Sequence, residues 1–147
     1  MFYYSEKTFF LLLLHLLFFN LNTSMAQNQN TLFPQVTSVQ NARHYKWGNQ
    51  CDGWHLLESG SLSVIQEQMP AGTSEKYHYH SQAQQVFYIL QGKAKFIIED
   101  KEVEVSAGES LHIPAKIKHK IFNNTLEVLQ FLVISQPKAQ GDRVDLD

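Results

Sequence analysis

A single cysteine, Cys51, stands in 147 residues, so no disulfide can form within the chain. Stability has to come from an apolar core, and Cys51 itself reads as one small hydrophobe of that core. Charge is scarce as well. Charged residues make up 18% of the chain and sum to a formal net charge of −2, which gives no basic footprint. A nucleic-acid partner needs clustered Lys and Arg against its phosphates, so none is expected. Also missing is an apolar run long enough to cross a bilayer: Phe9 to Phe19 is 11 residues, broken by His15, where about 20 are needed. Preceded by Lys7 and followed by Ser24-Met25-Ala26, this run reads instead as an export signal over 1–26, cleaved after Ala26. The expectation is a secreted or periplasmic protein with no stable membrane insertion once the signal is gone. Residues 27–50 open on Gln27, Asn28, Gln29 and Asn30 and read as a polar leader and N-terminal arm, with 51–147 as the domain.

No repeat of solenoid length and no Pro- or Ser-rich linker divides the remainder. What is present is a succession of short strands: Leu62 to Met69, Tyr77 to His80, Gln85 to Gln91, Lys93 to Glu99, Glu102 to Val105, Ser110 to Ile113, Ile117 to Phe122 and Glu127 to Ile134. Turn formers fall between them, at Pro70-Ala71-Gly72, Gly92, Ala107-Gly108-Glu109, Pro114 and Asn123-Asn124. Many strands without a long amphipathic helix predict an all-β sandwich or barrel.

Successive strand residues point to opposite faces, so alternation sorts inside from outside. Ala94, Phe96 and Ile98 should face inward with Lys93 and Lys95 in water, and Val103 and Val105 inward with Glu102 and Glu104 outside. Lys116, Lys118 and Lys120 share one face, which leaves His119 on the inner face between Ile117 and Ile121. A buried imidazole without a partner costs about 1–3 kcal/mol, so His119 needs one. The strand from Glu127 to Ile134 is apolar on both faces apart from Gln130 and should be covered on both sides.

His78 and His80 stand two apart on a strand and leave the same face, so both rings can converge on one point. Gln85 opens the following strand on a common face with Phe87 and Ile89. These residues, with His119, make four candidate ligands for one divalent transition metal (Ni, Fe, Mn, Zn or Cu), leaving the one or two open positions that mark catalytic sites. Their surroundings resemble the two motifs of the cupin family. Gly72, His78, His80, Gln85 and Gly92 follow G-x5-H-x-H-x4-E-x6-G, with Gln85 in place of Glu; Gly108, Pro114, Lys116, His119 and Asn123 follow G-x5-P-x-G-x2-H-x3-N, with Lys116 in place of Gly. The resemblance covers Gly72 to Asn123 and implies a cupin jelly-roll β-barrel of six or more strands, with a metal in its mouth held by the three histidines and the residue at the Glu position. It also implies a homodimer, since small cupins often pair through N-terminal strands. Lys116 would be strained if the family glycine has positive φ. The spelling Asn123-Asn124-Thr125 is a glycosylation sequon, discounted because Asn123 coincides with the motif turn.

An amide in place of the carboxylate removes one negative charge from the ligand set, so a divalent ion keeps its net +2 and should attract anions and polarise a carbonyl or hydroxyl. Among cupins, those with Gln at this position include small pectin-pathway proteins that promote ring opening of unsaturated uronates. The expectation is a Lewis-acid enzyme for isomerisation, elimination or ring opening of a small anionic or sugar-derived substrate. The other readings are a cupin dioxygenase and a non-catalytic carbohydrate- or metal-binding module. Glu75 and Tyr77 are candidates for an acid or base at the mouth, and equally fit a solvated loop carboxylate and a packed aromatic. Phe87, Phe96, Ile121 and Phe131 would wall the cavity or fill the core. His112 is out of phase with Leu111 and Ile113 and should face away from the metal, and His44 and His55 lack ligand spacing.

Overall fold

The structure, a computed structural model, describes residues 34–146; the export signal read over 1–26 lies outside them. Eleven strands and no helix make up the described chain. They are β1 (Arg43–Trp47), β2 (Cys51–Glu58), β3 (Ser63–Met69), β4 (His78–His80), β5 (Gln84–Gln91), β6 (Lys93–Ile98), β7 (Lys101–Ser106), β8 (Ser110–Ile113), β9 (His119–Phe122), β10 (Leu129–Gln136) and β11 (Arg143–Asp145). All belong to one compact unit, Thr37–Asp147.

The strands form two antiparallel sheets, ordered β1-β2-β3-β10-β5-β8 and β11-β4-β9-β6-β7. Their inner faces meet in a jelly-roll core around Met69, Phe87 and Phe131 from the larger sheet and Phe96 and Ile121 from the smaller. Alternation holds as expected: Ala94 and Phe96 are fully buried, Val105 is buried, and Lys93, Glu102 and Glu104 are exposed. Cys51 is buried in the same core.

Three strands go beyond the sequence reading. β1 lies inside the stretch read as an arm and pairs along its length with β2, which was not read as a strand, and β11 pairs with β4, so that Arg143 lies opposite His80. The last long strand, β10, sits between β3 and β5 with Leu129, Phe131, Val133 and Ser135 buried. Covering on both sides was expected, yet Leu132 and Ile134 on its outer face stay half-exposed, because no second layer of this chain reaches that side among the described residues.

The motif turns follow from backbone geometry. Gly92 has φ +83°, and a Cβ there would come within 3.1 Å of the Val128 carbonyl oxygen, so both conformation and space require glycine. Lys116 carries φ +69°, the left-handed region that the family glycine would adopt without strain. Its backbone N–H donates to the His80 carbonyl at 2.7 Å, which ties this turn to the end of β4. Lys116→Gly is therefore expected to stabilise the fold by about 0.5–1 kcal/mol, the relief of left-handed strain less the added freedom of the unfolded chain. Thermal unfolding checks this: a melting temperature unchanged or lowered would show that the turn carries no strain.

Candidate metal centre

Strand pairing sets His78 of β4 directly across from His119 of β9, which brings their ring centroids to 4.3 Å. His80, two residues along β4, has its ring 5.1 Å from His78 and 6.1 Å from His119. One ring nitrogen from each of the three lies within 4.8 Å of the other two. The opposite sheet supplies Gln85 of β5, whose Oε1 lies 3.1 Å from His119 Nε2. All four side chains are buried. The residues expected to converge thus do so, from three strands of two sheets.

The tautomers follow from the partners. The Nδ1–H groups of His78 and His119 donate to the carbonyls of Lys76 at 3.0 Å and Ile117 at 2.9 Å, which makes Nε2 the unprotonated, ligating nitrogen of each neutral ring. Gln85 Nε2 donates to Ser135 Oγ at 3.3 Å, turning the amide oxygen toward His119. Two acceptors then face each other at 3.1 Å, an arrangement that a shared cation relieves. His80 adds a buried Nδ1 with no hydrogen bond, 4.0 Å from Asp142 Oδ2. Burial, reinforced by the neighbouring histidines, pushes the His80 pKa down to about 4, and burial followed by His78 lowers that of His119. These rings are therefore neutral at neutral pH, the state in which imidazole ligates. The unpartnered His80 Nδ1, the tautomers set by the Lys76 and Ile117 carbonyls, and a donor set of three imidazole nitrogens and one amide oxygen fit a divalent transition metal.

The centre opens into a cavity of about 370 Å³. Of the four expected wall residues only Phe87 lines it; Phe96, Ile121 and Phe131 share the inward face but pack in the core, away from the cavity. Phe87 joins the two regions, with its ring 6.1 Å from His119 and 5.1 Å from Phe96. Glu75 lines the cavity and is not a solvated loop carboxylate: it is 13% exposed, accepts from Arg143 Nη1 at 2.7 Å, and its Oε1 lies 3.7 Å from His78 Nε2. Burial raises its pKa, with Arg143 opposing. Tyr77 is half-buried outside the cavity. His112 is exposed and bonded to Gln84, His44 is exposed beside Asp52, and the His55 ring packs on Tyr45, in agreement with surface and packing roles.

Sequence reasoning missed Tyr45, Glu67 and Arg143, which line the cavity from β1, β3 and β11. Glu67 shares its parity with the buried Ile65 and Met69, a signal that it faces inward. Tyr45 Oη donates to Glu67 Oε1 at 2.5 Å. Burial, with Glu75 adding, raises the Glu67 pKa to about 8 although the Tyr45 bond pulls the other way. Unfolded, this carboxyl loses its proton near 4.5. Between those values the folded chain holds a proton that the unfolded chain has released, so this group makes stability fall as pH rises from about 4.5 to 8. Glu67→Gln keeps an acceptor for Tyr45 and removes that decline. Melting curves should coincide for the two proteins near pH 5, with the variant several degrees higher near pH 9; parallel declines in both would place the cause elsewhere.

Comparison with known proteins places these features. A family model described as a cupin domain matches residues 65–135. An uncharacterized protein of Methanocaldococcus jannaschii is 31% identical over 92 residues, which span 63% of this chain and 74% of that one. Among solved structures, KdgF from Halomonas sp. superposes with TM-score 0.65 at 13% identity, covering 72% of this chain and 96% of that one. A predicted oxalate decarboxylase from Thermotoga maritima gives TM-score 0.65 at 22% identity, over 71% of this chain and 100% of that one. At such identities these two structures establish the fold alone.

Proposed function

The chain belongs to the cupin family, and from that premise we propose that it is a Lewis-acid enzyme using one divalent metal on a small anionic sugar-derived substrate, by isomerisation, elimination or ring opening. His78, His80, His119 and Gln85 would hold the ion. A bound divalent ion would supply polarisation of a substrate carbonyl or hydroxyl. Binding, orientation and proton movement fall to the cavity residues.

The observation that carries this reading is the charge of the site. Three neutral imidazoles and an amide leave the ion's two positive charges uncompensated. The acidic residues lining the cavity offset them only in part, because Glu75 is paired with Arg143 and burial favours the protonated form of Glu67. The cavity therefore remains positive and selects an anion. Its volume of about 370 Å³ lies near the lower end of ligand pockets, about 300–1,000 Å³, which suits a single sugar ring. Dioxygen chemistry that raises the oxidation state of a metal is better served by anionic ligands, which this set lacks.

D-Galacturonate, a sugar acid whose anomers interconvert by ring opening, is a direct probe. Zinc-loaded protein is expected to accelerate anomer exchange, followed by ¹H NMR, while an oxygen electrode records no uptake. Oxygen consumption with a flavonol substrate and no effect on the sugar acid would assign the protein to the dioxygenases, and ligand binding without any turnover would assign it to the binding modules. Export through 1–26 belongs to the same proposal, as does a homodimer. For the latter, β1 is an edge strand among the described residues and the outer faces of Tyr88, Leu90, Leu132 and Ile134 stay at least partly exposed.

A further inference from the structure

The cavity has a second chemical centre besides the imidazoles. Glu67 projects into it from β3, and its one hydrogen bond among the described residues comes from Tyr45 Oη at 2.5 Å. That bond occupies Oε1 and leaves Oε2 for a molecule in the cavity. Tyr45 reaches this position because β2 carries glycine where its ring passes: a Cβ on Gly53 would lie 2.3 Å from Tyr45 Cζ. The His55 ring, 5.0 Å away, packs on the tyrosine from the same strand. A glycine in a strand interior costs stability, and the close approach of a neighbouring side chain accounts for it here.

We propose that Glu67 is the proton donor and acceptor of this cavity and that Tyr45 is the residue that positions it. The inference rests on the reading of the cavity as a metal-assisted site for sugar acids. The charged and titratable groups around Glu67 are Tyr45 from β1, Cys51 from β2, Glu75 ahead of β4 and Arg143 from β11, while β10 presents Phe131 opposite it. Burial among these keeps the carboxyl protonated up to a pH of about 8, within the range where a group can both give and recover a proton. In ring opening of a hemiacetal, the bond between the anomeric carbon and the ring oxygen breaks with its electron pair on oxygen. Glu67 gives that oxygen its proton, the anomeric hydroxyl releases its own proton to a cavity water, and a carbonyl forms. The hydrated proton then restores Glu67, so no net proton is gained or lost.

The test uses the full, zinc-loaded chain and D-galacturonate anomer exchange, with zinc content measured beside every rate. Glu67→Gln is expected to bind zinc as the wild type does and to lose about 100-fold in rate. Wild-type rate should fall on an alkaline limb as Glu67 loses its proton, and that limb should vanish in Glu67→Gln. Tyr45→Phe removes a donor that favours the carboxylate, so its limb should move to higher pH, which a purely structural role would not produce. Glu67→Asp keeps the acid and should retain a descending limb, which separates chemistry from folding if the Gln variant is unstable. A Glu67→Gln rate and limb equal to wild type would overturn this inference alone, as would an Asp variant without the limb. A wild type inert toward the sugar acid would instead overturn the proposed function, and this inference with it.

Discussion

Substituting His78 and His80 together by alanine is expected to abolish stoichiometric metal binding. Wild-type protein should hold close to one divalent ion per chain after dialysis, by elemental analysis, and H78A/H80A a small fraction of that. The reason is geometric: the two rings leave β4 on the same face and supply two of the three nitrogens gathered within 4.8 Å. Loss of outer-shell partners alone costs about 10- to 100-fold in metal affinity, and loss of two direct ligands should exceed that. Stability reports the same event. A metal that binds only the folded chain adds about 2.7 kcal/mol at a free concentration 100 times its dissociation constant, so zinc should raise the wild-type melting temperature and leave the variant unmoved. Without metal the variant should melt below wild type, since two buried rings and the His78 bond to the Lys76 carbonyl are gone, so the zinc-induced shift within each protein is the quantity to compare. Equal, substoichiometric metal in both proteins would end the metal reading.

Phe131→Ala should be the most damaging single change to the fold. Phe131 is fully buried in the first half of β10, with its ring 5.9 Å from Phe87, which in turn packs on Phe96 and on the His119 ring. Truncating a buried phenylalanine costs about 3–5 kcal/mol through lost transfer energy and the cavity left behind. Domains of this kind hold only about 5–15 kcal/mol in total. Urea unfolding should therefore show a midpoint sharply reduced at a nearly unchanged slope, and zinc affinity should drop as Phe87 loses its support beneath His119. A midpoint close to wild type would show that β3 and β5 close over the void.

The strands that carry the cupin motifs were legible because their alternation is clean. The strand read over Ile117 to Phe122 begins only at His119, with Lys116 in a left-handed turn, yet the alternation of Lys120 with His119 and Ile121 still assigns His119 to the inner face, and the spacing of His78 and His80 needs only strand parity to become a chelate. Chain ends were less legible. β1 reads Arg-His-Tyr-Lys-Trp, β2 carries Asp52 and Gly53 among its apolar residues, and β11 is three residues long, so none offers a run of alternating hydrophobics. Those strands bring Tyr45 and Arg143 to the cavity, and their partners became identifiable only with the pairing of β1 to β2 and β11 to β4. Glu67 lay within a strand that was read, but a glutamate between two glutamines resembles a solvated face. Its shared parity with Ile65 and Met69 was the better guide.

Gln85 is where charge and structure join. Its amide is aimed by Ser135, paired opposite it on β10, and its oxygen faces the His119 nitrogen at 3.1 Å. With the ring tautomer fixed by the Ile117 carbonyl, a cation between the two groups satisfies both. Without one, only an amide turned by 180° would, donating to His119 and accepting from Ser135.

X-ray absorption at the zinc edge of the loaded protein decides between these arrangements. Three imidazole nitrogens at about 2.0–2.1 Å with one or two oxygens is the predicted shell. A shell of oxygens alone, or one holding a single imidazole, would contradict a centre built by His78, His80 and His119 with Gln85.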